Sequence, residues 1–89
     1  MPTHHLLIKG LVQGVFFRAT AKKIADESGI TGWIKNTPED DVEAIVTGTE
    51  TQLQQFIVWC KKGPAMAKVT DVITAQQEET KFADFSIRK

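Results

Sequence analysis

The spacing of apolar residues changes repeatedly along this chain, and each change marks an element. Leu6 to Val12 is a mainly apolar run of strand length. Phe17, Ala21, Ile24, Ala25 and Ser28 then fall at helical spacing, so a helix is expected from about Phe17 or Arg18 to Ser28, with Gly29 as its stop. Asp26 and Glu27 sit in the last turn, where the helix dipole disfavours them, so this helix must rely on packing. Ile30 to Asn36 reads as a second strand that sets Ile34 and Asn36 on one face. Asn36 to Asp41 carries turn chemistry around Pro38. Val42, Ala44 and Val46 then alternate with Glu43, Ile45 and Thr47, which makes a third strand and an antiparallel hairpin ended by Gly48.

Thr49 followed by Gln52 is a capping-box signature, and Leu53, Phe56, Ile57 and Cys60 form one apolar face of a second helix. Trp59 flanks that face and is expected to be partly exposed. Lys61 and Lys62 suit the C-terminal dipole, and Gly63-Pro64 stops the helix. Val69 to Gln77 is a fourth strand whose imperfect alternation suggests a bulge. Glu78 to Lys81 reads as a turn, and Phe85 and Ile87 alternate in a short last strand. The order strand, helix, strand, strand, helix, strand indicates the α+β class. It fits a ferredoxin-like split βαβ sandwich (βαββαβ), with an antiparallel sheet, two helices on one face and a short fifth strand.

Composition narrows the function. At 89 residues the chain is expected to be a single domain, 1–89, with a modest core. No stretch is long enough to cross a bilayer, and the start lacks the pattern of a secretory signal. One cysteine cannot build an internal disulfide and suits a reducing cytoplasm. The 11 basic and 11 acidic residues balance, so a polyanion such as nucleic acid finds no basic excess. An anion bound here would be small and held locally.

The stretch best suited to that task is Gly10-Leu11-Val12-Gln13-Gly14-Val15-Phe16-Phe17-Arg18. It runs from a strand end through a glycine-bearing loop to the mouth of a helix. Such a loop offers free backbone N–H groups and the positive end of the dipole. Arg18 adds a fork of donors for an oxyanion. The same spacing also serves a plain turn, with Arg18 a solvated charge. Asn36, at a strand end, equally suits a turn-shaping role.

Other chemistries fit less well. Cys60 lies inside a helical pattern without an arginine-bearing phosphate loop, and reads as core. Asp40-Asp41 and His4-His5 are too few for a metal site. The RNA-recognition module shares this topology but stacks bases on aromatics of its first and third strands, which carry none here. A metal carrier of similar fold needs a C-x-x-C pair in the first loop, and none is present.

Two motifs taken together resemble the acylphosphatase family. They are the Val12-Gln13-Gly14-Val15-Phe16-Phe17-Arg18 loop, and Gly32-Trp33-Ile34-Lys35-Asn36 leading through a turn to Val42 and Gly48. Gly63-Pro64 and the Phe85-Ser86-Ile87 ending are similar as well, so the resemblance spans essentially the whole chain. It implies a small monomeric, cytoplasmic hydrolase that cleaves the carboxyl–phosphate bond of small acyl phosphates, with no cofactor or metal and no nucleic-acid or membrane partner. Carried over, Gln13, Gly14, Val15, Phe16, Phe17 and Arg18 bind the phosphate, and Asn36 orients the attacking water. The other reading is a domain of the same fold that binds phosphate or an acyl phosphate without turnover. The chain departs from the family at Asp40, where the turn usually has glycine. If that position needs positive φ, aspartate tolerates it at some cost.

Overall fold

A computed structural model describes residues 1–89. The elements are β1 (Thr3–Leu11), α1 (Phe17–Ser28), β2 (Thr31–Asn36), β3 (Val42–Thr47), α2 (Glu50–Lys62), β4 (Lys68–Gln77) and β5 (Phe85–Arg88). The strands form one sheet in the order β4-β1-β3-β2-β5. The ferredoxin-like α+β arrangement is therefore present. Alternation supplies the core: Leu6, Ile8, Ile34, Val42, Ala44, Val46 and Phe85 leave the sheet on the side that meets Phe17, Ala21, Ala25, Leu53, Phe56 and Cys60 of the helices. Trp59 is half-buried, as expected, and its ring lies 5.1 Å from Phe17 and 6.1 Å from Phe56.

Two expectations need correction. β1 begins at Thr3, because the backbone of Thr3, His4 and His5 continues the ladder to Thr47, Val46 and Ile45 regardless of side-chain polarity. Val12 leaves the ladder yet remains buried. The sheet is also mixed: β5 runs parallel to β2, while the other three pairings are antiparallel. The cause is the connection after β4. It is a crossing rather than a local turn, held where Thr80 N–H donates to Thr3 Oγ1 (2.9 Å) and Thr47 Oγ1 donates to Thr80 O (2.8 Å). β4 finishes opposite Thr3, so the chain crosses that end of the sheet and must start β5 beside the start of β2.

The suspected bulge in β4 is real. Lys9 opposes Asp71 and Gly10 opposes Val69, which leaves Thr70 as the extra residue. Gly10 is needed there, because a Cβ at its position would lie 2.1 Å from Lys68 O. The hairpin turn forms around Asp40, which takes φ 68°, the left-handed conformation that glycine adopts without strain. Thr37 closes it: its N–H donates to Asp41 O (2.9 Å), and its Oγ1 accepts from Asp41 N–H (3.1 Å).

Candidate active site

The two helix starts are built in opposite ways. At α2, Thr49 Oγ1 accepts from Gln52 N–H (3.1 Å) and Gln52 Oε1 accepts from Thr49 N–H (2.8 Å), a complete capping box. At α1, the N-cap is Phe16 in the left-handed region (φ 64°), with no side-chain cap and no acid in the first turn. The ladder of α1 starts only where Thr20 N–H donates to Phe16 O (3.1 Å). No protein group accepts from the backbone N–H groups of Gly14, Val15, Phe16, Phe17, Arg18 or Ala19. Six donors in sequence, at the positive end of a helix, are the arrangement that an oxyanion would need. Gly14 helps shape the loop with φ 74°, and nothing stands within 4 Å of where its Cβ would be.

The side chains of this stretch divide the work. Phe17 is buried and fixes the helix start against Trp59. Val15 is buried too, so it offers only its backbone to a ligand. Arg18 enters none of the ion pairs and makes no side-chain hydrogen bond within the protein. Arg18 is half-buried and lines, with Gly14 and Phe16, a cleft of about 330 Å³. Gln13 has a structural task as well. Its Nε2 donates to Thr37 O and to Asp41 O, both at 2.9 Å, and so ties the loop to the turn after β2.

That clamp holds the neighbourhood of Asn36, the last residue of β2. Asn36 is not among the residues that line the cleft with Arg18. Its Oδ1 is buried and has no hydrogen-bond donor from the protein. That oxygen keeps an unused acceptor capacity while enclosed by protein. Asp41, beside the clamp, is buried and paired with Lys9 Nζ at 3.0 Å.

Sequence patterns did not reveal three of these contributions. The side-chain role of Gln13 is silent because its partners are backbone carbonyls. Ile87 reaches the same cleft from β5, on the helix-side face that it shares with buried Phe85; its period-2 spacing gives that face but not the cleft. On the open face of the sheet, His5 Nε2–H donates to Glu43 Oε2 (2.6 Å), and Lys35 lies 3.6 Å from the same carboxylate. These contacts hold the Glu43 carboxyl below its usual range, first through the His5 hydrogen bond and then through the charges of His5 and Lys35, against burial. Burial pushes the Cys60 thiol far up, so it stays protonated and is no nucleophile.

Comparison with known proteins agrees over nearly the whole chain. The acylphosphatase family model matches residues 4–87. An acylphosphatase of Methylococcus capsulatus is 37% identical over 84 residues, which span 93% of this chain and 91% of that one. One from Marinobacter nauticus is 42% identical over 82 residues, covering 91% and 89%. The crystal structure of acylphosphatase from Bacillus subtilis superposes with a TM-score of 0.94 at 33% identity, covering 100% of both chains.

Proposed function

The chain belongs to the acylphosphatase family, an enzyme of the hydrolase class acting on acyl phosphates, and from that premise we propose how its own residues perform the reaction. The phosphate sits on the unpartnered N–H groups of the 13–18 loop and the first turn of α1, with Arg18 closing on its oxygens. Asn36 holds a water through Oδ1, in line with the bond to be broken. Water attacks phosphorus, the phosphorus–oxygen bond to the acyl group breaks, and the carboxylate departs with the bonding electrons. The proton of the attacking water passes to a phosphate oxygen, so the products are carboxylate and inorganic phosphate.

These residues suffice because the reaction asks little of acid–base chemistry. A carboxylate is a good leaving group and needs no strong general acid. In phosphoryl transfer the protein mainly positions groups and neutralises charge. Preorganised N–H donors and a guanidinium do both. The amide of Asn36 is no base, but it orients a water. The observation that carries the reading is the uncapped start of α1 beside an unpaired Arg18. A fold that binds acyl phosphates without turnover is the reading that family membership does not favour.

The same reading takes residues 1–89 as one acylphosphatase-like domain, active as a monomer in the cytoplasm and without a nucleic-acid partner. The lone buried thiol of Cys60 supports a reducing compartment. The charged residues on the open face of the sheet, His5, Glu43, Lys35 and Arg88, support a monomer. No helix is long and apolar enough to cross a membrane. The test is incubation of the purified chain with a simple acyl phosphate in the presence of a chelator. Equal amounts of carboxylate and phosphate should be released; an inert chain would overturn the reading.

A further inference from the structure

The ladder between β1 and β3 ends where Ile8 faces Val42. Past that pair, three side-chain hydrogen bonds join residues 9–13 to the 37–41 turn. Two come from Gln13 Nε2. The third runs from Lys9 Nζ to Asp41 Oδ2 at 3.0 Å. Asp41 is the one acidic residue that the protein buries. Lys9 pairs with it in preference to Asp71, which opposes Lys9 on β4, is exposed and enters no ion pair.

We propose that Lys9 and Asp41 form a positioning pair for the hydrolysis, an ionic tether that holds Asn36 in place from the open face of the sheet. The proposal rests on the reading above, in which Asn36 orients the water, and deepens it. The link is short. Asp41 precedes Val42, the ladder partner of Asn36. Asp41 O accepts from Thr37 N–H (2.9 Å), and Asp41 N–H donates to Thr37 Oγ1 (3.1 Å). Thr37 directly follows Asn36. A displaced Asp41 therefore shifts both the ladder partner of Asn36 and its next residue in the chain.

Electrostatics explains why Lys9 is needed. The Asp41 side chain is only 12% exposed, and a carboxylate so enclosed is costly unless a cation meets it. Without Lys9, Asp41 gains by turning outward to water, and the turn moves with it. The pair adds little to overall stability, because Lys9 is half-exposed. Its effect is on geometry, where a misplacement of about 1 Å costs on the order of a hundredfold in rate.

The test reads geometry and turnover separately. Lys9→Met removes the charge and keeps the length of the side chain, whereas Lys9→Arg keeps the charge. Circular dichroism verifies the fold of each. Nitrogen–proton NMR spectra follow the side-chain amide of Asn36, inorganic phosphate is titrated into each protein, and acetyl phosphate serves as substrate. In Lys9→Met the Asn36 amide signals should move and kcat should fall by about tenfold, while phosphate affinity stays within about twofold of wild type. Lys9→Arg should restore both the signals and kcat. Asp41→Asn alone should move the same signals, and in its background Lys9→Met should cost about twofold or less, because the tether is already gone.

Unmoved Asn36 signals in Lys9→Met would overturn the proposal, and so would unchanged kcat in an active enzyme. A loss of phosphate affinity as large as that of kcat would overturn it too, as would the full loss of kcat in the Asp41→Asn background. A wild type that binds phosphate and hydrolyses nothing defeats the proposed reaction instead, and the Asn36 signals then decide the tether by themselves.

Discussion

Gln13 donates from Nε2 to the carbonyl of Thr37 at 2.9 Å, and this bond joins the 13–18 loop to the residue that follows Asn36. A second bond from the same nitrogen reaches Asp41 O, also at 2.9 Å. One amide therefore sets the spacing between the two halves of the proposed site. Replacing Gln13 with leucine keeps the bulk, removes both bonds and leaves two carbonyls short of a donor. Stability should fall by about 1–3 kcal/mol. Activity should fall by about tenfold or more in kcat, because on the proposed mechanism misplacing Asn36 penalises the reaction more than binding. Urea unfolding and steady-state kinetics read the two effects separately. Unchanged kcat would mean that the clamp does not position Asn36.

The turn that the clamp grips is itself strained. Asp40 holds φ 68°. Asp40→Gly should stabilise the protein by about 0.5–1 kcal/mol, with relief of strain partly offset by a freer unfolded chain. In a domain of this size that corresponds to roughly 3–6 °C in Tm. A drop in Tm would show that the aspartate contributes more than its backbone strain removes.

Two glycines of the same loop motif should respond differently. A Cβ at Gly10 would meet Lys68 O at 2.1 Å and Thr70 N at 2.8 Å, both backbone atoms of the bulged β4 strand. Gly10→Ala should cost about 3 kcal/mol or more, since the β1–β4 pairing must open. A Cβ at Gly14 meets nothing within 4 Å, and only the φ of 74° resists it. Gly14→Ala should cost about 1–2 kcal/mol. Chemical denaturation of both variants checks the order, and a reversed order would contradict the bulge geometry.

Acid stability should carry a contribution from Glu43. Its carboxyl is held below the ordinary value of 4.5, chiefly by the hydrogen bond from His5. A group whose folded pKa is depressed contributes stability that is present above the unfolded pKa and lost as pH falls through the folded value. Wild type should therefore exceed Glu43→Gln in stability near neutral pH by about 0.5–1 kcal/mol. The gap should close as pH drops below about 4.5. Denaturation curves at a series of pH values follow it, and a gap that widens in acid would reverse the assignment.

What the sequence made legible was local. The capping box at Thr49 and Gln52, the hairpin through Pro38, the glycine stops and the alternating core of β3 all depend on residues a few positions apart, and each formed as its pattern implies. The direction of β5 was not legible, because four alternating residues fit either pairing and the crossing held by Thr80 is a long-range event. The loop was readable as a candidate anion site, but its alternative as a plain turn could be weighed only once the N–H groups of Gly14 to Ala19 were seen without acceptors. Ile87 joined the cleft through the placement of β5 beside β2, which no spacing along the chain encodes.

The central claim is that Arg18 and the loop hold the phosphate while Asn36 holds the water. The direct measurement is hydrolysis of an aryl acyl phosphate under metal-free conditions by wild type, Arg18→Ala and Asn36→Ala, with inhibition by inorganic phosphate measured for each. Both variants should lose on the order of a hundred- to a thousand-fold in kcat/KM. Arg18→Ala should also lose its affinity for phosphate, whereas Asn36→Ala should keep most of it and lose kcat. A variant of either residue that retains near wild-type turnover would contradict the assignment.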